Sequence, residues 1–404
     1  MDSYLLDWAN LLLRWAHVIT AIAWIGSSFY FVFLDSSLTA PSAPDLKGKG
    51  VDGELWAVHG GGFYNPQKYL VAPKSMPANL HWFYWEAYST WLTGFALFTV
   101  LYLFNAGSFL VDKSVHAWSP VTAIAASLGF LVAFWAVYDI ICRAFGQKKH
   151  GDLLVGAGVL VAIVLASWAA SQLFAGRAAF LLVGAMIATA MSANVFFWII
   201  PGQRTVIAQM KAGEPVDPVH GQRAKQRSVH NTYFTLPVLV AMLSNHYGWL
   251  TQGPHNWAVL VLLMLAGALI RHSFVARHKA HVLGKRAPWE HAAIGTALLL
   301  GLAVWLAPSP PAPPSAAARA AATRPVTFGE VRAVVEQRCA LCHNAALQNK
   351  NVALHTPELL RQHAQAVYQQ AVVLKLMPMN NATQITDDER ALIKRWFEGG
   401  APGP

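Results

Sequence analysis

Charge is scarce in this chain. Only 12% of its 404 residues are Asp, Glu, Lys or Arg, against about 25% in an ordinary soluble domain. Apolar residues make up 55%. Together these figures exclude a disordered chain, which needs high charge and few large apolar side chains, and a soluble enzyme built round a single core. Cysteine is scarcer still. Three residues, Cys142, Cys339 and Cys342, are too few for a disulfide framework. Acidic residues are outnumbered by basic ones, 20 to 30, for a net charge of +10. Such an excess can serve a nucleic-acid surface, so the position of the basic residues decides what it means.

What the chain does have is long apolar runs. Eight stretches reach the roughly 20 residues needed to cross about 30 Å of hydrocarbon. They are 8–34, 82–105, 118–142, 152–173, 177–200, 230–250, 256–276 and 289–307. The segment 36–80 is the one long interruption. With the N-terminus outside, seventeen Lys and Arg fall in inside loops and only Lys113 and Arg177 fall outside. That asymmetry follows the positive-inside rule. It leaves no basic surplus for a nucleic-acid face, so no nucleic-acid partner is expected. Eight crossings return the C-terminus to the outside, and the first span is too long for a cleavable signal.

The expected fold is therefore all-α. A polytopic membrane helix bundle, with the lipid bilayer as its solvent, covers 1–307. A Pro/Ala-rich linker follows over 308–325, where dense prolines favour an extended spacer. A small α-helical domain covers 326–404. Within it, Thr327 with Glu330 and Thr386 with Glu389 read as capping boxes. The second opens a helix with Leu392, Ile393 and Trp396 on one face, ended by Gly399-Gly400.

Cys339-Ala340-Leu341-Cys342-His343 is the C-x-x-C-H pattern of covalent haem attachment. Two thiols three positions apart reach the two vinyl groups of one porphyrin, and His343 then lies beneath the iron. A zinc half-site would need a second ligand pair, and this region has no further Cys. A redox dithiol would sit in a βαβ setting. The domain resembles a small class I cytochrome c. The resemblance implies a Met-Pro sixth ligand shortly before the last helix. Met377, followed by Pro378, fits best, with Met379 as its competitor. Sulfur ligation raises the haem potential. Haem c is attached outside the cytoplasm, in agreement with the charge count.

Several stretches of the bundle carry a second resemblance. They are Arg14-Trp15-Ala16-His17, Trp24-Ile25-Gly26-Ser27-Ser28-Phe29-Tyr30, His59-Gly60-Gly61-Gly62-Phe63-Tyr64, His81-Trp82-Phe83-Tyr84-Trp85-Glu86, Val229-His230-Asn231-Thr232-Tyr233 and Ser244-Asn245-His246-Tyr247-Gly248-Trp249. With the C-terminal cytochrome they resemble the bacterial membrane-bound urate hydroxylases of the PuuD type, over essentially the whole chain. The resemblance implies oxidation of urate to 5-hydroxyisourate. Electrons would pass to the cytochrome, and onward to a soluble cytochrome c or a terminal oxidase. It implies a bacterial inner membrane, with both termini and the haem c in the periplasm.

The residues constrain that picture. Polar groups inside spans are costly and usually line functional cavities. His17 and His246 lie towards the outer half. His81, His230, His272 and His291 lie near the inner ends, close to the loop that bears His59. His230 and His246 are sixteen residues apart, about 24 Å along one helix. Electrons from an inner substrate to an outer haem c need a bridge across that depth. A haem b in the bundle is expected, with His17 and His246 as candidate iron ligands. The alternative for any single span histidine is a hydrogen-bonded packing role.

Urate is a planar monoanion. Its site calls for aromatic stacking, bidentate donors and a base. His59, His81, Glu86 and His230 are the expected catalytic residues. Trp56, Phe63, Tyr64, Asn65, Lys68, Trp85 and Asn231 are expected to bind substrate. Glu86 could equally be an ion-pair partner, and His59-Gly60-Gly61-Gly62 a turn. Two other functions compete: a non-catalytic electron-transfer subunit fed by quinol or a partner dehydrogenase, and a transporter with an appended cytochrome. A transporter would show broken helices or paired repeats, and neither is evident.

Overall fold

The computed structural model describes residues 2–69, 73, 74, 76–307, 324–345, 352–381 and 383–404. The chain is mostly helical, as its apolar runs require. Helix α1 (Asp2–Ser37) packs along α2 (Trp85–Phe98), which continues through a π-helical turn, Thr99–Leu103. Helix α3 (Pro120–Phe145) is opened by Ser119, whose hydroxyl accepts from the Thr122 amide, with Pro120 preset at the first position. Helix α4 is Gly151–Leu173, and α5 is Gly176–Asn194. A second π-helical turn, Val195–Ile199, joins α5 to α6 (Ile200–Lys211). Then come α7 (Pro218–Leu243), capped by the Asp217 carboxylate, α8 (Asn256–Val282) and α9 (Glu290–Trp305).

Helix α5 is the centre of the bundle. Phe180, Leu182, Val183, Met186 and Ile187 are all fully buried. Small residues let its neighbours close in: a Cβ on Gly184 would lie 2.8 Å from the Ala241 Cβ of α7. Helix α1 is the opposite case. None of its apolar window is buried inside the protein, and residues such as Trp15 and Ile22 point outwards. An apolar surface of that extent needs a non-aqueous neighbour.

Eight equivalent spans were expected, and the helices separate into two kinds. Among the described residues, five are long and apolar enough to cross a membrane: 4–37, 120–145, 151–173, 176–211 and 256–282. The other three positions carry helices that fall short of that standard. Helix α2 carries a polar first half. Helix α7 begins twelve residues before the expected 230 and takes in His220, Arg223, Lys225 and Arg227. Helix α9 has only 16 residues. Two of the seventeen basic residues assigned to inside loops, Arg227 and Arg271, are instead buried within helices.

The interruption at 36–80 adds some strand to the all-α expectation. Strand β1 (Gly53–Glu54) pairs antiparallel with β4 (Gln67–Lys68), and β2 (Ala57–His59) with β3 (Gly62–Tyr64). Gly60 and Gly61 make the intervening turn at φ 59° and 81°, both left-handed as a two-residue hairpin turn demands.

Residues from 324 onwards form a second core around Phe328, Val331, Val335, Leu360, Ile393 and Trp396. Its helices include α10 (Phe328–Arg338), α11 (Pro357–Gln362) and α12 (Asp387–Glu398). Both capping boxes form. Arg338 grips the Glu389 carboxylate with Nε at 3.1 Å and Nη2 at 2.9 Å, tying α10 to α12. The expected linker, apart from Arg324 and Pro325, lies outside the described residues. The second core rests on the end of the bundle where α7 stops. There Gln252 Nε2 donates to the Lys375 carbonyl at 3.1 Å. A Cβ on Gly248 would stand 2.9 Å from the Leu376 side chain.

Candidate functional site

The bundle contains a continuous polar network. Arg227, His230 and Asn231 recur at helical spacing and share one face of α7. That face meets Asp139 and Tyr138 of α3 and Asn194 of α5. Arg227 Nη2 lies 2.8 Å from Asp139 Oδ1, and Trp198 Nε1 donates to the same oxygen at 2.8 Å. Arg143 Nε, one turn along α3, takes the other carboxylate oxygen at 2.6 Å. The Asn194 carbonyl oxygen accepts from Arg227 at 3.3 Å, while its amide donates to Tyr138 Oη and to Asn231 Oδ1, each at 2.9 Å. Asn231 in turn donates to the Met191 carbonyl at 3.0 Å. Every charge in the cluster is paired, as burial requires.

The network also reaches the imidazole. Tyr138 Oη accepts from Asn194 and lies 2.8 Å from His230 Nδ1. The phenol can donate to that nitrogen or accept from it, so either imidazole tautomer is served. The Cys142 sulfur is 3.9 Å from the same Nδ1. His17 is held differently. Its Nδ1 lies 3.1 Å from the Thr90 carbonyl, which can only accept. Nδ1 must therefore hold the hydrogen, leaving a lone pair on Nε2. That is the orientation a metal-ligating histidine takes. The ring lies flat on α2 because residue 94 is glycine: a Cβ there would be 2.8 Å from His17 Cε1. His246 sits exposed in the turn Ser244–His246, and no hydrogen bond or ring contact joins it to His17 among the described residues.

The other expected site residues do not gather round His230. Trp56 and Phe63 are 67% and 77% exposed on the β2–β3 hairpin, with His59 and Tyr64 also at the surface. Asn65 is consumed within its loop, donating to Glu54 Oε2 at 3.0 Å and the Leu55 carbonyl at 3.3 Å. Lys68 pairs with Asp35 of α1. His81 is exposed and meets Phe83 edge-on, with ring centres 4.6 Å apart. Trp85 is exposed as well. Glu86 opens α2, where the helix dipole favours a carboxylate. Its Oε2 is buried with no hydrogen-bond partner among the described residues.

A second polar group lies along α8. His272 Nδ1 is 2.8 Å from Tyr233 Oη, and its ring centre is 4.4 Å from that of His291 on α9. Beside it, Arg271 is buried with its guanidinium carbon 3.6 Å from the centre of the Phe29 ring.

In the second core, α10 ends at Cys339. The amides of Cys342 and His343 both donate to the Cys339 carbonyl, at 3.1 Å, which folds the C-x-x-C-H stretch into a tight turn. Both thiols are unpaired. His343 Nδ1 lies 2.9 Å from the Val352 carbonyl, so its Nε2 lone pair is free, as for His17. Burial pushes the Cys339 thiol up to about 11, the reverse of the activated thiolate that a redox dithiol uses. Arg390 Nη1 donates to the Met377 carbonyl at 3.0 Å and also to that of Ala371, anchoring the loop that carries Met377. The donor types suit a covalently held haem: two free thiols, an imidazole with its Nδ1 tied back, and a methionine whose backbone carbonyl is anchored.

Sequence reasoning reached His230 and Asn231 but missed their partners. A lone Asn194 in an otherwise apolar run, and Arg227 one turn before His230, were the available signals. No curated protein and no solved structure matches the chain. Residues 3–307 match the family described as urate oxidase N-terminal. That match covers the bundle, its polar network and the His17 cradle, and the chain belongs to this urate-oxidase-related family.

Proposed function

We propose that this protein is a membrane-embedded oxidoreductase that hydroxylates urate to 5-hydroxyisourate. The urate monoanion and one water give neutral 5-hydroxyisourate, one proton and two electrons. The bundle lies in a bacterial inner membrane with both termini periplasmic. The substrate arrives from the cytosolic side, and the electrons leave one at a time towards a soluble cytochrome c or a terminal oxidase. Haem c, when bound through Cys339 and Cys342, supplies a one-electron acceptor. His343 and Met377 would hold its iron.

The observation that carries this reading is the fusion, in one chain, of a urate-oxidase-family bundle with a C-x-x-C-H turn whose His343 has its Nδ1 tied back to Val352. Family membership supports the substrate, and the free imidazole nitrogen supports the electron acceptor. His17 is the residue we assign to a haem b in the bundle, on the strength of its Nδ1 bond to Thr90. His246, exposed in its turn, is a weaker partner than the spacing alone suggested. His230, whose Nδ1 is bonded to the Tyr138 hydroxyl, is the residue we assign to proton handling.

Anaerobic addition of urate to the oxidised, purified full-length protein tests the proposal. Reduction of a c-type spectrum is expected, together with a pyridine haemochrome count of one c haem and one b haem. Protein that lacks covalent haem, or whose haem stays oxidised with urate yet is reduced by quinol, would refute it.

A further inference from the structure

One cavity in the bundle has the make-up of a site for a flat anion. It lies between α1, α7 and α8 and has a volume of about 320 Å³, within the roughly 300–1,000 Å³ range of small-molecule sites. Phe29 and Phe33 of α1, Leu236 of α7 and Phe274 of α8 give it apolar walls. Arg271 of α8 is among its lining residues. Arg271 is 7% exposed, and its Nε and Nη2 have no hydrogen-bond partner among the described residues. None of the side chains lining the cavity is acidic, and two further basic groups, Arg277 and His278, stand beside Arg271.

A buried guanidinium with two idle donors is a costly thing for a fold to keep. Here the two idle donors are the pair on one edge of the fork, which point in parallel and match two acceptors on one edge of a planar anion. Phe29 under the guanidinium, 3.6 Å from its carbon, holds the fork in place. A tetrahedral headgroup would use the charge but not the aromatic walls. A flat bicyclic anion uses both.

We infer that this cavity is the substrate site, and that Arg271 clamps an oxygen–nitrogen edge of the urate anion between the phenylalanine walls. The inference rests on the reading of urate as substrate. It moves the binding site away from the exposed hairpin and onto α1 and α8.

Urate binding to dithionite-reduced, full-length protein in lipid nanodiscs, measured by isothermal titration, tests it without turnover. Arg271→Gln is expected to weaken binding at least about 30-fold, as loss of a buried charged donor does. Arg271→Lys keeps the charge but loses the fork and should bind about tenfold more weakly than wild type. Leu236→Phe fills the cavity with Arg271 intact and should also abolish tight binding, which guards against misfolding of the Arg271 variants. Wild-type affinity in all three, in protein that binds urate and is reduced by it, would overturn the cavity assignment and leave the proposed function standing. If oxidised wild-type protein is not reduced by urate, the functional reading falls and this inference falls with it. If Arg271→Gln loses bound anionic phospholipid but keeps its urate affinity, the cavity belongs to lipid and the inference is wrong.

Discussion

Asp139→Asn keeps the shape of the side chain and removes one charge from the middle of the bundle. Arg227 is 3% exposed. Besides the amide oxygen that replaces the carboxylate, its acceptor would be the Asn194 carbonyl oxygen at 3.3 Å, with the rings of Tyr138 and Trp198 each 5.0 Å from the guanidinium carbon. Breaking a buried pair from one side costs about 3–5 kcal/mol. Because Asn still offers an oxygen, the low end of about 3 kcal/mol applies. The reverse change is milder. Arg227→Met leaves Asp139 with Arg143 Nε at 2.6 Å and Trp198 Nε1 at 2.8 Å, so about 1–3 kcal/mol is expected. The double variant should lose less than the sum of the two, by about 0.5–3 kcal/mol, since neither charge is then stranded. Equilibrium SDS unfolding of the purified protein in mixed micelles gives all three values. A loss under about 1 kcal/mol for Asp139→Asn, a larger loss for Arg227→Met, or strict additivity would refute the reasoning.

Three further outcomes are expected. Gly94→Ala drives a methyl into the His17 ring and should cost about 1–3 kcal/mol by overpacking; it should also empty the b-type haem signal while the c-type signal stays, read by pyridine haemochrome. Gly248→Leu pushes Leu376 off the bundle end and should slow urate-driven reduction of the c-type spectrum at unchanged haem content, read by stopped-flow absorbance. For Glu389, burial alone would raise the carboxyl, but the bonds from Arg338 and the Thr386 amide outweigh it and hold the group below its ordinary 4.5. The unfolded chain therefore takes up the proton first as pH falls. The stabilising contribution is complete above about pH 4.5 and is lost as pH drops through the lowered folded value. Hydrogen exchange in α10 and α12 should show that acid loosening in wild type and lose it in Glu389→Gln.

Much of the helical layout was legible because hydropathy is a property of single residues summed along a window. The C-terminal caps were legible for a similar reason, since Thr327 with Glu330 and Thr386 with Glu389 act within one turn. The polar network was not, because it is a relation between helices. Arg227 was counted as a loop charge, yet Asp139 across the α3–α7 contact draws it into the core. Asn194 carried no pattern of its own and becomes central only when α5 packs between those helices. The hairpin misled for the opposite reason. His59, Phe63, Tyr64 and three glycines look like a binding loop in the sequence, but two of the glycines are spent on the turn, and the aromatic side chains face outwards. Arg271 was legible as a basic residue and nothing more. Its unpaired donors are visible only once Phe29 is seen beneath it.

The seam where Gln252 meets Lys375, and Gly248 meets Leu376, has a kinetic consequence. On the proposed function, donor and acceptor would belong to one polypeptide, so the hand-off between them would be first order. Its rate would then be fixed by local geometry rather than by how many copies the cell makes, an independence that a freely diffusing carrier would lose on dilution.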